Sequence, residues 1–142
     1  MNRKRVLFIC THNASRSQMA EGFLRVLASD LCEAASAGTD PTQVHPLAVR
    51  AMAEIGVDLA SRLSKPVDAF VDQSWDYVVT VCDKAREHCP VFPTAAHRLH
   101  WSFDDPSKAT GTEEERLRTF RRIRDEIRGR IRDWLRDITA AG

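Results

Sequence analysis

The sequence predicts an α/β fold built on a four-stranded parallel sheet with helices on both faces. Two observations lead to this prediction. The apolar residues of segments 6–9 and 76–81 run continuously instead of alternating with polar ones, which is typical of strands buried on both faces of a parallel sheet. Segments with helical spacing of apolar residues alternate with the predicted strands, and such alternation favours parallel strands joined by right-handed crossovers.

The remaining elements follow in order along the chain. A first helix is predicted over residues 18–27 and a second from Pro46 to Gly56, because apolar residues recur in both at helical spacing. Weaker strands are predicted at residues 33–37 and 97–101. Together with the two apolar runs, these strands complete the sheet.

The last helix carries the clearest local signal. Thr112 and Glu115 form a capping-box pattern, so we expect the helix to begin there. An apolar stripe wide enough to pack on a sheet follows for about six turns. Its members are Phe120, Ile123, Ile127, Ile131, Trp134 and Ile138. The arginines of this helix are interleaved with acidic residues, which indicates a solvated, salt-bridged face; an anionic partner is the alternative.

Composition and charge exclude several classes of protein. The chain has 142 residues, 43% of them hydrophobic, and its 21 Lys and Arg against 20 Asp and Glu give a net charge of +1. We therefore expect a single domain over residues 1–142 and no binding to nucleic acid, since nucleic-acid-binding proteins carry a strong basic excess. No apolar stretch reaches the roughly 20 residues of a membrane helix, and no signal peptide is recognisable. We expect a cytoplasmic protein, a monomer, with no membrane association.

Four cysteines are the first feature to explain. They are Cys10, Cys32, Cys82 and Cys89. A domain of this size folds without disulfides, and the cytoplasm is reducing. The cysteines therefore indicate chemistry more than cross-links.

A small polar loop follows the first predicted strand and leads into the first helix. It consists of Cys10, Thr11, His12, Asn13, Ala14, Ser15, Arg16 and Ser17. Ligands bind at the carboxyl ends of parallel strands, where such a loop can turn its N–H groups inward beside a helix N-terminus and the forked side chain of Arg16. The pattern predicts a site for a tetrahedral oxyanion. The same field, with the Ser17 hydroxyl, predicts a nucleophilic Cys10 with a lowered pKa.

The alternative is a buried strand-end Cys10 beside a surface Arg16, because a cysteine and an arginine at this spacing form a weak pattern by themselves. Their position between a buried strand and an amphipathic helix favours the catalytic loop.

The loop belongs to a longer pattern. It continues through residues 18–22, and further matches occur at residues 36–38, the Pro46 helix, residues 79–82 and residues 101–106. Together these segments resemble the low-molecular-weight tyrosine phosphatase fold, and specifically its arsenate reductase branch. His12 stands where this family commonly has glycine. Histidine tolerates a left-handed backbone better than most residues, so the loop is compatible with His12, and its detailed geometry is left open.

The second apolar run ends at Cys82, which parallel connectivity places at the same sheet edge as Cys10. Residues 83–88 favour a short helix before Cys89, and Pro90 ends it. Such a helix separates the Cα atoms of the two cysteines by about 10 Å, so a disulfide between them requires the helix to unwind.

This cysteine pair has three interpretations. The first is a zinc site with nearby histidines, but the close Cys-x2-Cys spacing of such sites is missing. The second is a pair of core cysteines without a chemical role. The resemblance implies the third, because thioredoxin-coupled arsenate reductases use a loop cysteine and two further cysteines, which match Cys10, Cys82 and Cys89. Cys32 matches no such role and is expected to be a spectator.

Asp105 precedes Pro106 in the loop after the last predicted strand. An Asp-Pro pair is also a common turn, so these residues alone leave both interpretations open. The resemblance implies that Asp105 is the general acid. We expect the thiolate and the oxyanion to raise its pKa.

The resemblance also raises the question of a metal. Some family members bind potassium near the loop through residues that match Asn13, Glu21 and Ser36, with further ligands around positions 63 and 65. Leu63 and Lys65 occupy those positions here, and neither suits a hard cation. We therefore predict no metal.

The residues and the resemblance together predict a reductase of arsenate. Cys10 attacks arsenate held by the loop and Arg16, Asp105 assists loss of hydroxide or water, and Cys82 and Cys89 resolve the products. The relay implies no tightly bound cofactor and reduced thioredoxin as the electron donor, although mycothiol- and glutaredoxin-dependent relatives leave the donor open.

Two alternatives of different class remain. A low-molecular-weight protein tyrosine phosphatase needs only Cys10, Arg16 and Asp105. Cys82 and Cys89, which ester hydrolysis does not need, favour the reductase. The absence of aromatic residues at positions 107–109 favours it as well. The other alternative is a non-catalytic anion sensor, which steady-state turnover would distinguish from either enzyme.

Overall fold

Four parallel strands form the centre of the protein. The structure, a computed structural model, describes residues 3–141, and positions 1, 2 and 142 of the predicted domain lie outside that range. The strands are β1 (Lys4–Cys10), β2 (Cys32–Gly38), β3 (Tyr77–Thr80) and β4 (His97–His100). They pair in the order β2-β1-β3-β4, and every pair is parallel. The predicted class of fold is confirmed.

β1 is a central strand, with β2 on one side and β3 on the other. Its residues Val6, Leu7, Phe8 and Ile9 are fully buried, as the continuous apolar run predicts. The strand is longer than the apolar run, because pairing with β2 continues from Lys4 to Cys10. Cys10 thereby becomes the last residue of the central strand.

Four α-helices surround the sheet: α1 (Arg16–Leu27), α2 (Pro46–Ala53), α3 (Asp83–His88) and α4 (Glu113–Ala141). α1 begins two residues earlier than predicted, at Arg16. α2 ends at Ala53, before the predicted stop at Gly56, which has a φ of 81° in the turn that follows. None of the helices among residues 3–141 is long and apolar enough to cross a membrane.

The capping box at the start of α4 is confirmed. Glu115 N donates to Thr112 Oγ1 at 3.1 Å, and Thr112 N donates to Glu115 Oε1 at 3.2 Å. Residues of the predicted stripe are buried from Phe120 to Trp134. Each such side chain contributes on the order of 1.5–3 kcal/mol when it leaves water, which fixes α4 against α1 and α2. Trp134 also contacts Tyr77 of β3, with the ring centroids 5.0 Å apart.

The polar side of α4 is salt-bridged, as the interleaved charges predict. Arg122 pairs with Glu126 at 2.7 Å, and Arg128 pairs with Asp125 at 3.1 Å. These pairs are exposed to solvent in part or in full, so each contributes only about 0–1 kcal/mol.

The parallel arrangement brings three sequence-predicted residues to one edge of the sheet. Cys10 ends β1, Cys82 follows β3 two residues after Thr80, and Asp105 lies in the loop after β4. The carboxyl edge of the sheet is where open α/β folds bind ligands.

Candidate functional site

The loop of residues 11–15 turns its carbonyl groups outward. Segment 39–45, called here the outer segment, runs along it and donates backbone hydrogen bonds to these carbonyls. The bonds run from Asp40 N to Thr11 O (2.8 Å), from Thr42 N to His12 O (3.1 Å) and from His45 N to Ala14 O (2.9 Å). Within residues 3–141, the backbone N–H groups of the loop donate to no protein acceptor. Their donors are therefore free for a bound anion.

Asn13, and not His12, is the left-handed residue of the loop. Its φ is 50°, the only positive φ of a non-glycine residue in the described range, so His12 does not adopt the left-handed backbone. Asparagine is among the residues that adopt this region most readily. His12 instead places Nδ1 at 2.9 Å from the carbonyl of Asp40, on the outer segment.

The side chain of Asn13 fixes the direction of a hydrogen-bond chain that ends at Cys10. Its Nδ2 donates to Ser17 Oγ at 2.7 Å and to Ser36 Oγ at 3.0 Å. Because Ser17 Oγ accepts from Asn13, its own hydrogen is available for Cys10 Sγ, which lies at 2.8 Å. Ser17 is thus oriented as a donor toward the sulfur.

Several residues of this network were not predicted from the sequence to belong to the site. Gln18 Nε2 and Lys65 N donate to Asn13 Oδ1 at 3.0 and 2.9 Å, which sets the orientation of the amide. Ser64 Oγ donates to Asn13 O at 2.7 Å. At Gly38, a Cβ would lie 2.7 Å from the carbonyl oxygen of Thr11, so only glycine allows β2 this close to the loop. Gln18 and Gly38 lie in the family pattern at residues 18–22 and 36–38, and Lys65 was considered only as a position of potassium ligands. Ser64 had no signal in the sequence.

The thiol of Cys10 is deeply buried, with 2% of its surface exposed. Burial raises its pKa, and the hydrogen bonds from Ser17 and the charge of Arg16 only partly oppose this effect. The predicted lowering of the Cys10 pKa is therefore wrong for this structure. Burial therefore favours the thiol over the thiolate at Cys10.

Arg16 joins the loop to the segment that carries Asp105. Its Nη1 donates to Phe103 O at 3.1 Å, and its Nη2 lies 3.6 Å from Asp105 Oδ2. Burial alone would raise the pKa of Asp105, but hydrogen bonds from Ser107 and the charge of Arg16 outweigh burial and lower it. Asp105 is therefore a carboxylate paired with Arg16, and the expectation that a thiolate and a bound oxyanion raise its pKa stays a prediction.

A cavity of about 520 Å³ opens at this edge of the sheet. The predicted site residues Thr11, His12, Arg16, Cys82 and Asp105 line it, with Lys84 and Lys108. Cys10 is not among the lining residues, although its neighbour Thr11 is. The lining carries three cationic side chains, Arg16, Lys84 and Lys108, and three acidic ones, Asp83, Asp104 and Asp105.

Cys82 lies beside the loop, because Thr11 Oγ1 is 3.4 Å from Cys82 Sγ. Cys82 and Cys89 flank α3, which has the six residues that the sequence predicts. Both cysteines are free thiols, and burial raises the pKa of Cys89. Cys32 is a buried free thiol on β2. It pairs in register with Lys4 of β1, so it lies at the opposite end of that strand from Cys10.

Glu21 is a buried carboxylate surrounded by cationic side chains. Ser36 Oγ donates to Glu21 Oε1 at 2.7 Å, Arg25 Nε lies 2.9 Å from Oε2, and Arg62 also contacts Oε2. Lys65 Nζ is 3.9 Å from Oε1, and burial lowers the Lys65 pKa. No group of three or more His, Cys, Asp or Glu in residues 3–141 is arranged to hold a metal ion. That no metal binds stays a prediction.

Comparisons with known proteins agree with this geometry. Residues 5–141 match the family described as low molecular weight phosphotyrosine protein phosphatase. An arsenate reductase of Halalkalibacterium halodurans is 47% identical over 134 residues, 94% of this chain and 96% of the relative. An arsenate reductase of Bacillus subtilis is 42% identical over 134 residues, with the same shares covered.

Solved structures give the same result. An arsenate reductase in the phosphate binding state superposes with a TM-score of 0.81 at 31% identity, over 95% of this chain and 98% of that one. A thioredoxin-dependent arsenate reductase of Corynebacterium glutamicum has a TM-score of 0.72 at 32% identity, over 99% of this chain and 64% of that one. This chain therefore belongs to the low-molecular-weight phosphotyrosine protein phosphatase family and, within it, to the arsenate reductases.

Proposed function

We propose that this protein reduces arsenate to arsenite by a relay of Cys10, Cys82 and Cys89. The observation that carries the proposal is the loop of residues 11–15, whose carbonyls are held from outside while its N–H groups stay free, directly after Cys10. The buried hydroxyl of Ser15 also has no hydrogen-bond partner in the described part of the chain. An arsenate oxygen would satisfy these donors, with Arg16 as a bidentate clamp.

The first step uses the proton that burial keeps on Cys10. The sulfur attacks the arsenic of the bound HAsO₄²⁻, and an S–As bond replaces one As–O bond. The hydroxide that departs combines with the thiol proton and leaves as water. This balance needs no other acid, so we assign Asp105 to orienting Arg16, to which it is ion-paired.

The second step transfers two electrons to arsenic. Cys82 attacks the Cys10 sulfur, the S–As bond breaks with its electron pair on arsenic, and arsenite leaves with the proton of the Cys82 thiol. Cys89 then attacks the Cys82 sulfur, which forms the Cys82–Cys89 disulfide, and the proton of the Cys89 thiol returns Cys10 to the thiol form. The contact of Thr11 with Cys82 supports the first transfer, and the short α3 supports the second, since it has to unwind for the disulfide.

Reduced thioredoxin is the electron donor that we propose, because one of the similar structures is a thioredoxin-dependent enzyme. Its dithiol would reduce the Cys82–Cys89 disulfide without a tightly bound cofactor. We further propose that the chain works as a monomer in the cytoplasm, where thiols are kept reduced.

A single-turnover experiment tests the relay. Cys89→Ala should release about one arsenite per enzyme and trap a Cys10–Cys82 disulfide, because only the resolving step is lost. Cys82→Ala should stall at the arsenylated Cys10 and release none. Cys32→Ala is the matched control and should turn over with thioredoxin like the unmodified chain. Multiple turnovers by Cys89→Ala would contradict the relay.

The phosphatase alternative is tested with the same variants. Hydrolysis of an aryl phosphate requires Cys10 and Arg16 but not the cysteines around α3. Fast hydrolysis with no arsenite production in the unmodified chain would replace the reductase by a phosphatase, and binding of arsenate without turnover of either substrate would indicate an anion sensor.

A further inference from the structure

Helix α3 is weakly attached to the rest of the protein. It has six residues, and Ala85 is the only one whose side chain is buried. Of its side chains, only that of Asp83 receives a hydrogen bond from the sheet in the described structure. A helix this short has little stability of its own, so its few attachments decide how easily it opens.

The attachment of Asp83 runs through two strands. His100 Nε2 lies 2.8 Å from Asp83 Oδ1, and His100 Nδ1 lies 2.7 Å from Thr80 Oγ1. Thr80 and His100 are register partners on β3 and β4. Because a carboxylate only accepts, Nε2 of His100 carries a hydrogen and donates it to Asp83, while Nδ1 forms a hydrogen bond with the Thr80 hydroxyl. The three side chains thus form one hydrogen-bonded line from the sheet to the first turn of α3.

We propose that His100 is a positioning residue for the thiol relay and acts through Asp83. It fastens the first turn of α3, which directly follows Cys82, and so holds Cys82 beside Thr11 in the reduced protein. The same attachment has to open before Cys89 reaches Cys82. The role of His100 in the relay rests on the proposed function. The hydrogen bond between His100 and Asp83 does not depend on it.

The direction of the effect follows from the state that the attachment stabilises. The Asp83–His100 bond exists while α3 is folded, which is the reduced state, and is lost when the Cys82–Cys89 disulfide unwinds the helix. Loss of the bond therefore favours the disulfide. Because Asp83 is largely exposed, we expect a change of only about threefold.

The test uses two measurements that need no arsenate. His100→Leu should speed hydrogen exchange of amides 83–88 about threefold in the reduced protein. It should also make the potential of the Cys82–Cys89 couple about 14 mV more negative, since a tenfold change in the equilibrium corresponds to about 30 mV. His100→Gln places an amide donor near the position of Nε2 and should restore most of both values. His97→Leu, on the same strand, is the matched control.

A double-mutant cycle separates the attachment from a general loss of stability. Asp83→Ala should reproduce the effect of His100→Leu, and the double variant should add little to either. Additive effects, faster exchange spread over the whole chain, or an unchanged potential with unchanged local exchange would overturn the proposal. If the potential shifts while arsenate is not reduced, the proposed function fails and the attachment stands. If no Cys82–Cys89 disulfide forms on oxidation, the relay fails, and local exchange alone decides the role of His100.

Discussion

Replacing Ser17 by alanine should raise the pKa of Cys10 by roughly one to two units. Ser17 Oγ lies 2.8 Å from Cys10 Sγ, both residues are buried, and Asn13 leaves the Ser17 hydrogen free to donate to the sulfur. A hydrogen bond to a charged group contributes about 1.5–3 kcal/mol. At about 1.36 kcal/mol per pKa unit, loss of the bond disfavours the thiolate by that amount.

The assay is the pH dependence of Cys10 alkylation by iodoacetamide, with the modified cysteine identified by peptide mapping. Ser15→Ala is the matched control, because its buried hydroxyl has no partner in the described structure and lies in the same loop. The control should leave the Cys10 pKa where it was. An unchanged pKa in Ser17→Ala, or an equal shift in Ser15→Ala, would refute the reasoning from the hydrogen-bond direction.

Three further predictions concern the loop, its ion pair and the last helix. Gly38→Ala should destabilise the protein by about 1–3 kcal/mol in urea unfolding and lower arsenate reduction, because the added Cβ meets the Thr11 carbonyl at 2.7 Å; unchanged unfolding would contradict the close approach. Asp105→Asn should lower the free energy of unfolding by a constant amount above about pH 5, and the difference should shrink as pH falls through the native pKa, because the Asp105 pKa lies below 3.8 in the folded state. A difference that grows in acid would have the wrong sign. Gly129→Ala should stabilise α4 by about 0.5–1 kcal/mol, seen as a higher Tm, because the position is helical and open space surrounds it; a lower Tm would show that the glycine has a packing role.

Interactions between near neighbours in the sequence were predictable. The spacing of Thr112 and Glu115 is sufficient for their reciprocal hydrogen bonds, since one helical turn brings them together. Cys10 and Ser17 lie at the two ends of one short loop between a strand and a helix. The contact between the Cys10 sulfur and the Ser17 hydroxyl was therefore also predictable. The apolar pattern of segment 6–9 was enough to place β1 at the centre of the sheet.

Properties that depend on distant neighbours were not predictable. The pKa of Cys10 is governed by burial in the folded chain. The pKa of Asp105 depends on burial and on Arg16, which is distant in the sequence, as well as on the nearby Ser107, and neither balance can be read from a motif. The motif alone also does not show which residue of the loop is left-handed. Lys65 N, 52 positions away in the sequence, donates to the side chain of Asn13, the residue that adopts this backbone.

The outer segment has a consequence for protein engineering. Residues 39–45 hold the carbonyls of the loop, and residues 63–65 hold Asn13, yet neither stretch is contiguous with Cys10 in the sequence. A transplant of residues 10–17 alone into another parallel sheet would therefore carry the nucleophile without the scaffold that shapes its cradle. The smallest portable unit is discontinuous and comprises three separate stretches, of which two supply no reactive group.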